Sequence, residues 1–300
     1  MNLFRSIRTV TGASGDGYVD WPAVAEAAKA STDAGHLDLS DAERAGYAAD
    51  VRDARDRLRS LGDVAFDLPD AIEIQNRHHW IDANVDTFQR VMAPVEREAP
   101  RALFPGVTRV VNTGSLSVML AFLGRNVLGQ YDPLLLAEAA PGDRDHALYF
   151  VHPNISAVAE TLDVEEARFR RWIAFHEVSH AAEFGAAPWL SAHLETRLER
   201  GVDALAAGEL DREAFAELDT AMTAVEGYAE LLMDRAFDDD YADLRAKLDA
   251  RRQGGGPVAR LARRLLGLGL KRRQYERGAA FFRTVADARG LDGASAVWER

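Results

Sequence analysis

The chain has 300 residues, 47% of them hydrophobic and 28% charged, the balance of a soluble globular protein with a substantial core. Its net charge is −12, and basic residues form no extended run, which argues against a nucleic-acid partner. There is no cysteine, so disulfides and a thiolate metal site are excluded, and histidine and carboxylate are the available metal ligands.

Residues 1–17 end in the turn-rich TGASGDG and read as a short lead-in. They carry arginines but lack the sustained apolar core of a signal peptide. No apolar run of about 18 residues is apparent, so neither a membrane span nor a membrane partner is expected, and a cytoplasmic location is the default. WPAVAEAAKA predicts a helix capped by Asp20, with Pro22 in its first turn. Ser40 to Gly62 predicts a longer one opened by a Ser40–Glu43 capping box. Its alternating arginines and aspartates read as a solvated face. From about Asp70 to Met92 a further helix is expected. Within it, adjacent His78 and His79 point to different sides and cannot chelate one ion. Pro94, Pro100 and Pro105 then suggest a boundary between a helical N-terminal lobe (residues 1–105) and a metal-binding catalytic domain (residues 106–300). One integrated domain is the alternative.

Ser115 to Leu128 is small and apolar and reads as a buried helix stopped by Gly129 and Pro133. ALYFVHPNI, from Ala147 to Ile155, is the clearest strand, with Leu148, Phe150 and His152 on one face and Tyr149 and Val151 on the other. A helix is predicted from Asp163, which forms a capping box with Glu166, to Gly185 as its C-terminal cap. Pro188 keeps it from resuming. WLSAHLETRLERGVDAL, Glu209–Leu218 and Asp219–Phe237 read as three further helices. GGGP at residues 254–257 is a flexible break before a last amphipathic helical region. The pattern is mainly α, an α+β chain with a small sheet.

The chemistry concentrates in FHEVSHAAEFG, residues 175–185. His176 and His180 lie four apart on one helix and so share a face, close enough to bind one zinc ion. Glu177 follows His176, about 100° round the helix, beside the metal and able to take a proton from water without ligating. A bare HExxH also arises by chance, and its histidines can be ordinary surface or core residues. Here the helix is well delimited, and its other face carries Phe169, Trp172, Ile173 and Phe184.

A catalytic zinc site normally has three protein ligands. The three-histidine motif HExxHxxGxxH fails, because Glu183 and Ala186 stand at its later positions. His193 lies beyond Pro188. Glu226 is the better candidate, since it sits in the apolar helical stretch TAMTAVEGYAELLM, where a carboxylate must be paired or metal-bound. Gly227 beside it costs helix stability, which a close crossing with the HExxH helix would explain. Glu230 is the runner-up ligand, or a hydrogen-bond partner for a ligand histidine. Tyr228, Tyr275 and His152 are candidate donors to a developing oxyanion.

VLGQYDP, FVHPNI, FHEVSHAAEF with PWL, VEGYAELLMDRA and GLGLKRRQYERGAAFF, together with VDWPAVAEAA and HHWIDANVDTF, resemble the zincin-like metallopeptidase type 2 family. Its members often carry names linking them to biosynthesis of the deazaflavin coenzyme. The resemblance covers nearly the whole chain. It implies a mainly helical zincin-like fold with a small sheet and one zinc ion per chain. It also implies His176, His180 and Glu226 as ligands, with Glu177 as general base. The expected activity is zinc-dependent hydrolysis, most plausibly of peptide bonds, with the Ala147–Ile155 strand holding an extended substrate. The alternatives are a metal-dependent amidase on a small metabolite and a zinc-binding scaffold for a partner.

Overall fold

The computed structural model describes residues 2–61, 66, 71–98, 104–132, 147–237, 241–253 and 268–299. In chain order the elements are α1 (Leu3–Thr11), α2 (Trp21–Ala30), α3 (Asp41–Leu61), β1 (Ala71–Gln75), α4 (Arg77–Glu98), α5 (Pro105–Gly124), β2 (Gly129–Asp132) and β3 (Ala147–Val151). They continue with α6 (His152–Leu162), α7 (Glu166–Ala186), α8 (Trp189–Ala206), α9 (Arg212–Ala236), α10 (Ala242–Gln253) and α11 (Leu268–Ser295). The fold is mainly helical with one small sheet. The GGGP stretch lies outside the described residues.

Several helix starts follow from capping. Asp20 accepts from the Ala23 N–H at 3.0 Å, and Asp211 opens α9 by accepting from Ala214 at 2.8 Å. At α3 the Ser40 N–H donates to Glu43 at 2.7 Å and the Glu43 N–H returns a bond to Ser40 Oγ at 3.3 Å, a complete capping box. The charges on α3 are not all solvated, contrary to expectation. Asp50 is buried and accepts from Arg170 Nε of α7 at 2.7 Å, and Asp53 pairs with Arg171.

Other expectations need correction. The opening segment forms α1, capped by Asn2. The stretch expected to be one helix from Asp70 divides into β1 and α4, and Pro94 lies inside α4. The apolar helix α5 starts ten residues early, at Pro105, and exposes Val107, Val111 and Val118 where burial was expected. It is also long and apolar enough, by length and composition, to cross a membrane. Glycine, serine and threonine interrupt its apolar residues, so no unbroken apolar run marks it in the sequence. The strand expected to reach Ile155 ends at Val151, because Pro153 suits the first turn of a helix and α6 starts at His152. Asp163 therefore caps the end of α6, in left-handed conformation at φ 51°, and forms no capping box for α7. Residues 212–236 form one helix where two were expected.

The sheet order is β1-β3-β2, with β1 parallel and β2 antiparallel to β3. Both edges of β3 are thus occupied, and it cannot pair with an extended substrate as the sequence suggested. The larger hydrophobic cluster centres on α7, through Phe169, Ile173, Phe175 and Val178, and includes residues of α3, β3, α6, α8, α9 and α11. A second cluster joins α2, α4 and α5 through Val24, Ala28, Trp80, Ile81 and Leu120, and reaches Val151. Buried Asn154 ties the two together. It accepts from Arg77 Nε of α4 at 2.6 Å and donates to the carbonyls of Gly124 and Val127 at 2.9 and 2.6 Å.

Candidate metal centre

His176 and His180 lie one turn apart on α7, with their Nε2 atoms 3.3 Å apart. Two nitrogens each about 2.0–2.1 Å from one tetrahedral ion are separated by roughly this distance. Glu226, from α9, brings Oε2 to 3.8 Å from His180 Nε2. One ligand atom from each of the three residues falls within 4.8 Å of the others. The donor set is two imidazoles and a carboxylate on rigid helices, which fits zinc.

Glu183 is a residue that sequence reasoning passed over. It is fully buried, and its Oε2 receives the hydrogen bond of His180 Nδ1 at 2.9 Å. That bond orients the ring so that Nε2 faces His176 and Glu226, the support a metal-ligating imidazole usually has. The available signal was a carboxylate three residues past a candidate ligand histidine, flanked by Ala181, Ala182 and Phe184. It was read only as a failed position of the three-histidine motif. Glu230, offered for this role, instead faces Arg245 of α10 at 3.2 Å.

Three carboxylates therefore surround two imidazoles in a buried volume, with Glu177, Glu183 and Glu226 all at most 8% exposed. Burial pushes Glu183 up to about 8, against the pull of His180. Burial opposes charge on His180 as well, but the Glu183 hydrogen bond and the charges of Glu183, Glu226 and Glu177 outweigh it and raise the imidazole to about 9. The pocket favours a cation at its centre.

Glu177 stands beside the group. Burial raises its carboxyl to about 7, partly opposed by His180 and by the Tyr131 N–H. That N–H, from β2, donates to Oε2 at 2.9 Å. β2 can approach so closely because residue 129 is glycine: a Cβ there would lie 2.7 Å from both Cγ and Oε1 of Glu177. The strand is anchored in turn by Gln130, which accepts from Trp80 Nε1 at 2.8 Å and donates to Asn84 Oδ1 at 3.3 Å. The HHWIDAN and LGQYD segments are thus linked to the HExxH helix by a chain of hydrogen bonds. The sequence alone offered no reason to connect them.

The remaining candidates are placed elsewhere. Tyr228 is buried against Phe282 and Trp298, and its hydroxyl bonds Ser295 Oγ at 2.6 Å. His152 Nδ1 lies 3.0 Å from the Tyr47 hydroxyl and 3.8 Å from Glu166. His193 packs edge-on against Trp189, and His78 bonds the Thr32 carbonyl at 2.8 Å. The Tyr275 side chain lies outside the described residues.

Glu183→Gln is expected to weaken zinc binding by roughly 10–100-fold while leaving the helix intact, the usual effect of losing such a partner. Competition titration against a chromophoric chelator measures this. An unchanged affinity would show that His180 needs no carboxylate behind it.

The profile of the zincin-like metallopeptidase family matches residues 19–210 and 200–300. A crystal structure from Chloroflexus aurantiacus, described as a candidate hydrolase with a novel fold, is 30% identical in sequence. It superposes with a TM-score of 0.75, covering 94% of this chain and 92% of that one. A comparison with curated proteins returned no match.

Proposed function

We propose that this chain, which belongs to the zincin-like metallopeptidase family, is a zinc-dependent peptidase with Glu177 as general base. The observation that carries this reading is the placement of Glu177. It lies in the same buried pocket as the His176–His180–Glu226 group, yet stands outside that group and is tuned to about 7. A structural metal site needs no such base. Both imidazoles are partly exposed, which suits a site that keeps one coordination position open.

His176, His180 and Glu226 would hold the ion. When bound, zinc supplies a Lewis acid that polarises a carbonyl and acidifies water to a pKa near 7. Glu177 accepts the proton of the attacking water on its carboxylate and delivers it to the leaving amine. The Tyr131 N–H holds one carboxylate oxygen and so fixes the plane in which the proton moves. Glu183 keeps the His180 ring in register throughout.

One observation favours a second reading, a metal-dependent amidase acting on a small metabolite. The outward N–H of Tyr131 on β2 is engaged by Glu177, and β3 is central, so neither strand offers a ready ladder to an extended peptide beside the site. Digestion of a peptide library with the zinc-loaded protein, with and without a chelator, separates the readings. Chelator-sensitive cleavage is expected. No cleavage across the library, with turnover of small acylated amines, would assign the amidase instead.

A further inference from the structure

We propose that the face formed by α1 and α5 docks onto an anionic lipid surface. Eleven large apolar side chains are exposed among the described residues, and seven of them belong to this one face. Leu3, Phe4 and Ile7 come from α1, with Phe4 89% exposed; Phe104, Val107, Val111 and Val118 come from α5 and its cap. A concentration of this kind marks a binding surface rather than ordinary scatter.

The two sets are contiguous. Val10 of α1 packs at Gly114 of α5, where an added Cβ would lie 3.1 Å from Val10 Cγ1. Phe104, Val107, Val111, Gly114 and Val118 follow the three-and-four spacing of one helix stripe. The C-terminal end of α1 thus meets the stripe near its middle, and Leu3 and Ile7 share the side of α1 that carries Val10. An adjoining side of α5, through Thr113, Ser117, Leu120, Ala121 and Gly124, is buried against the protein. The helix is therefore held flat at the surface, as an interfacial element is, and does not span.

Charge selects the occupant. The chain has 48 acidic residues in 300, yet α1 and α5 contain none, while Arg5 and Arg8 lie on α1; Arg109 is on the side of α5 away from the stripe and is turned to the protein. Arg5 and Arg8 are exposed; Arg5 has an exposed pairing with Glu26 at 3.5 Å, and Arg109 Nε donates to the Gly17 carbonyl at 2.7 Å. A second copy seated here would bring the same exposed Arg5 and Arg8, with Glu26 beside Arg5 as the acid that pairs at this face. An anionic headgroup layer complements them, and the apolar side chains enter beneath it. This departs from the expectation of no membrane partner. It rests on α1 and α5 alone, so it stands or falls separately from the metal site.

The test is co-sedimentation of the full chain with vesicles of phosphatidylcholine, with and without phosphatidylglycerol, at low and high salt. Binding to the anionic vesicles, weakened by salt, is expected. Phe4→Glu with Val111→Glu should weaken that binding by at least about tenfold while zinc content and melting temperature stay unchanged. Arg5→Glu with Arg8→Glu should lower binding to anionic vesicles specifically. Absence of binding to anionic vesicles, or binding indifferent to both double variants, overturns the proposal. So does a dimer, measured by light scattering, that the Phe4→Glu, Val111→Glu variant converts to monomer, because a second copy would then cover the face.

Discussion

Glu177→Gln is expected to retain zinc near the wild-type level and to lower hydrolysis of a responsive substrate by at least ~10²-fold, the low end for loss of a general base. Glutamine fills the same space, and its oxygen can still accept the Tyr131 N–H that Glu177 accepts at 2.9 Å. What it cannot do is take a proton. The distinction between ligand and base is geometric, because Glu177 is not part of the His176, His180 and Glu226 group. Steady-state kinetics combined with metal analysis of the same preparation read both effects. Loss of zinc in the variant would make Glu177 a ligand, and undiminished turnover would give the proton transfer to another residue.

The second large effect concerns stability. Gly227→Leu is expected to cost about 1–3 kcal/mol by overpacking and to lower the melting temperature by several degrees. The sequence suggested that Gly227 marks the crossing of its helix with the HExxH helix. It instead faces α11: a Cβ on Gly227 would lie 2.3 Å from the Gly278 carbonyl carbon, and one on Gly278 would lie 2.2 Å from the Thr223 carbonyl oxygen. Backbone meets backbone there, so no rotamer change relieves the clash and α9 must move away from α11. Glu226 is the neighbouring residue on α9, so zinc content should fall with stability. An unchanged melting temperature would show that the two helices separate at no cost.

These two residues also show what could be read in advance. The HExxH pair was legible because helical spacing alone brings His176 and His180 to one face. Glu226 was legible as a charge in an apolar stretch that needed a reason to be there. The cost of Gly227 was visible too, but its partner was not, because Gly278 lies about fifty residues further on and propensity carries no information about which helices meet. β2 was missed for a related reason. GQYD is a four-residue strand with glycine and aspartate at its ends, poor strand formers that are held by pairing with β3 and by the Gln130 contacts with α4. β1 was lost inside a helical reading because AIEIQ runs directly into α4. Glu183 stands where the three-histidine motif has glycine, so that motif gives it no role. Elements defined by local period were readable, whereas the contacts that support the candidate site depend on tertiary pairing.

On the proposal made above, His176, His180 and Glu226 together hold one zinc ion. This is tested most directly by zinc per chain, measured by mass spectrometry on the purified wild type and on His176→Ala, His180→Ala and Glu226→Ala. The expected result is about one zinc per wild-type chain and near-complete loss in each variant, with helical content retained. Full occupancy in Glu226→Ala, with the wild type loaded, would contradict the account.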